Sequence, residues 1–360
     1  LCFFQGISRA SYFYLEERLS SKALSSPPRP LTTTPRFLDL NEAQRRQQID
    51  AESLFEALEA AEQEAWRHRG SMFWREQGGR TYLIKLSPDS SQRSLGTQSE
   101  QTQETYERFM SRKVVSEARV KDLREQVEVM KRMNRALRVG RAPDLLIEVL
   151  NALAKAGVAE HFLVVGTNAL YAYEAAAGVR FPGEVMETRD ADLLYDTSKR
   201  VEFLRVMQGR KLSFIDLLRK VDKTFERHGT DNYTAVNSKG YEVDLLRRFP
   251  PPEKAVEEHT LQITPNDEDL WPVRAPTGQR LLAVPRFSQV VVGTSGRMAR
   301  MTTVHPMAFA RIKRQLAVDP ARDPRKAPKD AAQAEQVEEL VLHYLPNLLA
   351  TGADEPTTLS

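Results

Sequence analysis

Apolar positions recur at helical spacing over residues 41–69, where Leu54, Phe55, Leu58, Ala61 and Ala65 mark one face and Gly70 ends the run. The period then shortens. "MFWREQGGRTYLIK" holds two strand-like runs around Gly78-Gly79, the signal of a hairpin, and "SQRSLGTQS" behind it reads as a loop. From about 99 to 138 the helical period returns, with Tyr106, Phe109, Met110, Leu123, Val127 and Met130 on the apolar side and Ser99 as its cap. Gly140 and Pro143 break it, and residues 144–157 predict another helix, capped by Asp144 and stopped by Gly157.

The second half mixes the two periods. Residues 162–165 read as a short buried strand, 166–168 as a turn, 169–177 as a helix and 191–195 as a strand. Residues 200–228 read as mostly helical. "YTAVNSKGYEVDLL" predicts a hairpin turning at 237–240, and 281–304 predict strands around a turn at 293–296. From 306 to 349 the pattern is helical, interrupted by "DPARDPRKAP". No internal repeat is present.

Composition narrows the class. The chain has 360 residues, 41% hydrophobic and 28% charged, enough for a sizeable core and for two or three packing units. A formal net charge of +3 is too small to indicate a nucleic-acid partner by itself. The single cysteine, Cys2, excludes disulfides within the chain and cysteine metal sites and fits a reducing compartment, so a cytoplasmic location is expected. No window approaches the roughly 20 apolar residues of a membrane span, and no signal peptide is legible. "SSPPRPLTTTPR" is aperiodic, so residues 1–40 are expected to be a disordered leader and 351–360 a frayed tail. Between them the expected divisions are a helical and hairpin region at 41–143, a core at 144–275 and a hairpin and helical region at 276–350.

The chemistry concentrates in "ETRDADLLYD". On a strand, residues i and i+2 face the same way, so Asp190 and Asp192 aim two carboxylates together, about 6–7 Å apart at their Cα atoms. Unpaired, they would repel, and one would protonate. A divalent cation removes the conflict, and Mg²⁺ favours such hard oxygen ligands together with substrate phosphates. "GYEVDLL" supplies a third carboxylate. Asp244 lies in its apolar run and is preferred over Glu242, which shares its face. Upstream, Gly166-Thr167 follows a strand and opens a helix, a turn whose N–H groups suit a phosphate, with Asn168 as an N-cap.

The order of strand, Gly-Thr turn, helix, Asp-x-Asp and a later lone Asp resembles the nucleotidyltransferase superfamily that includes DNA polymerase β. The run from "FLVVGTNALYAYEAA" through "TRDADLLYD" and "LLRKVDKTF" to "NSKGYEVDLLR" is similar to a bacterial family with that fold. The hairpin "MFWREQGGRTYLIK" and "HPMAFARIKRQLA" extend the resemblance over roughly residues 60–345. It implies an α+β fold, a polymerase-β-like core of mixed sheet with flanking helices, preceded by the helix and hairpin region and completed by C-terminal helices. It also implies Mg²⁺ or Mn²⁺ as cofactor, a nucleoside triphosphate as substrate, and transfer of a nucleotidyl group to a hydroxyl of RNA, protein or a small molecule. Asp190, Asp192 and Asp244 would then be the catalytic metal ligands, and Gly166, Thr167 and Asn168 the nucleotide-binding turn. The nucleotidyltransferase toxins of abortive-infection systems are similar too. They carry a late helical lysine and a Lys-Asp pair, matched here by Lys313, a candidate nucleotide ligand, and by Lys329-Asp330. Two departures stand out: Thr167 occupies a place where Gly or Ser is usual, and the segment from Gly166 to Asp190 is lengthened by "GVRFPGEVMETR".

Plainer readings compete. In these readings Arg189 or Arg180 neutralises the aspartate pair, Arg247 or Arg248 pairs with Asp244, and Lys313 is a solvated lysine. Ten Lys/Arg against four Asp/Glu between Arg112 and Arg141 mark either a solvated helix face or a track for nucleic-acid phosphates, although no set of stacking aromatics accompanies it. The alternative functional class is a non-catalytic or RNA-binding module on the same fold. "GTSGR" reads as a hairpin turn, and the six histidines form no metal motif.

Overall fold

The computed structural model describes residues 37–88, 91–186, 190–250 and 261–351, all within one unit, Arg36–Ser360. Strand β1 (Leu38–Asp39) pairs with a strand at Val179–Arg180, and Phe37 packs edge-on against Phe181 and Tyr344. Residues 37–40, expected in the leader, are therefore part of the fold, held by buried Phe37 and Leu40. Helix α1 (Glu42–Arg67) starts with a reciprocal cap in which Asn41 and Gln44 bind each other's backbone N–H. Strands β2 (Ser71–Gln77), β3 (Arg80–Leu86) and β4 (Gln92–Thr97) then form an antiparallel sheet. The third strand corrects the expected loop. It is polar apart from Leu95, and its strand geometry comes from hydrogen bonding to β3, not from a periodic pattern of its own.

Helix α2 (Glu100–Leu137) is capped by Ser99 as expected. It runs antiparallel to α1: Gln47 bonds Asn134, Arg124 meets Glu62, and His68 packs edge-on against Phe109. Leu58, Ala61, Val120 and Leu123 seal the seam. Helix α3 (Asp144–Ala156) buries Leu146, Ile147, Val149, Leu150 and Leu153. Asp144 does not cap it. Its carboxylate instead accepts from Thr294 Oγ1 at 2.7 Å and Ser295 N at 2.9 Å, fastening the β-turn at 293–296.

The central sheet follows. Its elements are β5 (Phe162–Val165), α4 (Leu170–Ala177), β6 (Val179–Arg180), α5 (Gly183–Met186), β7 (Asp190–Tyr195), α6 (Arg200–Arg210) and α7 (Phe214–Val221). Then come β8 (Glu226–Arg227), β9 (Thr234–Val236), β10 (Glu242–Arg247) and β11 (Val273–Arg274). The strand order is β5-β7-β10-β9-β8, with β11 beside β10. β7 and β10 are parallel, and their outer neighbours β5 and β9 are antiparallel to them, so the sheet is mixed. The expected helix over 200–228 is two helices and a strand. Lys211 at φ 51° ends α6, and Ser213 with Asp216 caps α7 afresh. Leu193, Leu194 and Tyr195 of β7 and Val243 and Leu245 of β10 are fully buried. Each such side chain contributes about 1.5–3 kcal/mol, which makes these two strands the rigid centre of the fold.

Helix α8 (Gly278–Ala283), the hairpin β12 (Arg286–Val292) and β13 (Met298–Val304), and helices α9 (Pro306–Ala317), α10 (Ala327–Tyr344) and the short α11 (Leu348–Thr351) follow. The result is the α+β arrangement of mixed sheet and flanking helices expected from the sequence. Among the described residues no helix is long and apolar enough to cross a membrane.

Candidate active site

Parallel pairing of β7 and β10 sets Asp192 opposite Asp244 and Asp190 opposite Glu242. Side chains at paired positions share a face, so four acids stand on one patch of the sheet. Three of them converge: an oxygen from each of Asp190, Asp192 and Asp244 lies within 4.8 Å of the others. Glu242 is exposed, at the rim. Ala191, Val243, Leu193 and Leu245 point into the core and fix both strands beneath the cluster.

The electrostatics show the strain of three acids held together. Burial, then Asp190 and Asp244, push the Asp192 carboxyl up to about 7, with Lys313 and Lys326 opposing. Asp244 is raised as well, by burial first, against a hydrogen bond of 2.6 Å donated by Thr234 Oγ1. Thr234 comes from β9, which pairs antiparallel with β10 at this position, so the sheet itself orients the third acid.

The turn after β5 approaches the same point. Val165 pairs with Asp192, and Gly166 follows at φ 66°, in the left-handed region. A Cβ at Gly166 would fall on Asp192 Oδ2, so a side chain there would displace the carboxylate. Asn168 is not an N-cap. Its Nδ2 donates 2.6 Å to the Asp190 carbonyl and ties the turn to β7. Thr167 Oγ1 accepts from Gln333 Nε2 at 3.1 Å, and the same Nε2 donates to Val185 O at 2.8 Å. Gln333 is fully buried on α10, so the C-terminal helix sets the orientation of the Thr167 hydroxyl.

Lys313 and Asp330, two separate expectations, form one ion pair of 2.6 Å, and Arg322 Nε adds a second bond to Asp330 at 2.7 Å. Lys313 is thus paired, not solvated. Burial lowers its pKa, Asp330 counters, and it still feels the charge of Asp192. Lys329 lies in the first turn of α10. Arg189 lies outside the described residues. Arg180 donates to the carbonyls of Arg138 and Val139, and Arg247 Nε to Pro272 O at 2.9 Å.

Three residues escaped the sequence reading: Thr234, Gln333 and Tyr241. The buried Tyr241 hydroxyl has its pKa raised by burial and then by Tyr171, Asp190 and Asp192, and it forms a neutral wall beside the acids. None has a local motif, because each is defined by what the sheet or α10 brings near it.

A mixed sheet bearing three convergent carboxylates beside a glycine turn is an arrangement that could hold a divalent metal ion. Residues 144–357, more than half of the chain, match a family described as Nucleotidyltransferase, and the chain belongs to that family. Searches of curated proteins and of solved structures returned no match.

Proposed function

We propose that the protein transfers a nucleotidyl group from a nucleoside triphosphate to a hydroxyl acceptor, with Asp190, Asp192 and Asp244 holding Mg²⁺, or Mn²⁺ in its place. The observation that carries this reading is the convergence of the three acids within 4.8 Å while burial and mutual repulsion hold Asp192 near neutrality. A bound divalent cation supplies charge neutralisation and polarises the phosphoryl oxygens. Thr234 holds one oxygen of Asp244 and leaves the other to approach the acceptor hydroxyl as a base. Gly166 leaves room for a phosphate beside Asp192, and its N–H with that of Thr167 suits the β- and γ-phosphates. Because Gln333 donates to Thr167 Oγ1, the Thr167 proton is free to point to a phosphate oxygen. Lys313, held by Asp330, acts as a fixed positive charge near the triphosphate. In this reading residues 144–275 carry the core, 276–350 close it, and the protein works in the cytoplasm, where triphosphates are abundant.

The test is calorimetric titration of MgATP, MgGTP, MgCTP and MgUTP into wild type and Asp190→Asn/Asp192→Asn. Metal-dependent binding confined to the wild type supports the reading. Absence of binding by the wild type to all four favours the non-catalytic module.

A further inference from the structure

The residues matched to the family begin at 144, and the antiparallel pair α1 and α2 with its three-stranded sheet forms an arm outside that match. Along α2, the stretch from Asn134, which binds Gly296 O, to Phe109 beneath the sheet spans roughly 35–40 Å. The sheet has two unlike faces. Met72, Trp74, Leu83 and Leu95 pack on Tyr106, Phe109 and Met110 of α2. The other face carries Ser71, Phe73, Arg75 and Gln77 of β2, Arg80, Tyr82, Ile84 and Leu86 of β3, and Gln92 and Ser94 of β4, as strand alternation and register require, with Ile84 as its buried floor and Phe73 and Tyr82 half-buried beside it. Neither Phe73 nor Tyr82 joins an apolar cluster of the described residues.

Charge on that face has one sign. Arg75 and Arg80 stand there without a carboxylate among its described residues, since Glu76 alternates to the helix side. The Arg75 guanidinium lies across the face, 5.3 Å from the Phe73 ring and 2.6 Å from Gln92 Oε1. At the same end of the arm, Arg69 covers exposed Trp66 at 3.6 Å. Phe73 and Tyr82 are diagonal neighbours on adjacent strands, a spacing at which two rings can each receive a base. Aromatic rings and guanidinium planes on a sheet, ringed by amides and hydroxyls and without acids, suit unstacked bases, 2′-hydroxyls and phosphates.

We infer that this sheet face binds single-stranded RNA, with Phe73 and Tyr82 as stacking platforms and Arg75 and Arg80 on the phosphates. Under the proposed nucleotidyl transfer this RNA carries the acceptor, but binding by the arm does not depend on that chemistry.

Fluorescence anisotropy with labelled single-stranded RNA of about 16 nucleotides tests it, with duplex RNA and single-stranded DNA of equal length alongside. The expected result is preferential binding of single-stranded RNA, weakened roughly tenfold or more by Phe73→Ala/Tyr82→Ala. Phe73→Tyr/Tyr82→Phe should restore it, and Arg75→Gln should lower the salt slope by about one. Circular dichroism melts of each variant separate lost binding from lost folding. MgNTP binding should survive in the arm variants and RNA binding in Asp190→Asn/Asp192→Asn, so the arm and the metal site fail independently. Wild-type indifference between single strand and duplex, equal binding of DNA, or unchanged affinity in Phe73→Ala/Tyr82→Ala would overturn the assignment, as would binding only of a protein partner.

Discussion

Asp192→Asn should stabilise the metal-free protein at pH 8 while abolishing the proposed metal-dependent transfer. The folded state holds this acid at about 7 instead of 3.8. Between those values the native protein binds more protons than the unfolded chain, so stability falls as pH rises from about 4 to 7 and stays low above. With both states ionised the penalty reaches about 4 kcal/mol. Asp192 keeps some contact with solvent, so about 1–3 kcal/mol is expected to be recovered by the amide. Urea unfolding in the presence of EDTA, at pH 4 and pH 8, measures this directly. The variant should gain at pH 8 and match the wild type at pH 4, and added Mg²⁺ should stabilise only the wild type. A variant less stable than wild type at pH 8 would refute the claim that these carboxylates are held together against their repulsion.

Gly166→Ala should cost about 1–3 kcal/mol in urea unfolding, from the left-handed backbone and the contact with Asp192, and should weaken calorimetric MgNTP binding with it. Asp330→Asn leaves Lys313 and Arg322 without a buried partner and should destabilise by about 3 kcal/mol. Lys313→Met in that background should recover part of the loss, which a double-mutant cycle of unfolding energies will show. Gln333→Leu removes the donor to Thr167 and should weaken MgNTP binding roughly fivefold without changing Mg²⁺ affinity, an effect of about 1 kcal/mol readable by calorimetry.

Much of the candidate site was legible in local sequence because its acids sit in strands whose alternation is strict. Asp190 and Asp192 had to share a face once "DADLLY" was a strand, and the glycine before Thr167 had to mark a turn. The helices were equally legible where a full apolar stripe repeated, as in α1 and α3. Residues whose role depends on a partner far along the chain were not. Thr234 is a polar residue in a short strand until β9 pairs with β10, and Gln333 is one more amide in a helix until α10 buries it against Thr167. Asp144 and Asn168 looked like caps because local propensity favours that use, but tertiary partners offered their side chains other bonds. Phe73 and Tyr82 escaped notice as a pair because a shared sheet face depends on hairpin register, which periodicity along one strand does not express.

The sequence by itself determined which residues could carry negative charge into an apolar strand, since side-chain type and period-two alternation are local properties. Only the tertiary structure decided that Asp244 stands beside Asp192, that Lys313 is bound to Asp330, and that Phe73 and Tyr82 share the sheet face away from α2. Those are facts of strand order, register and helix packing, fixed by the burial of the whole core and not by any one segment.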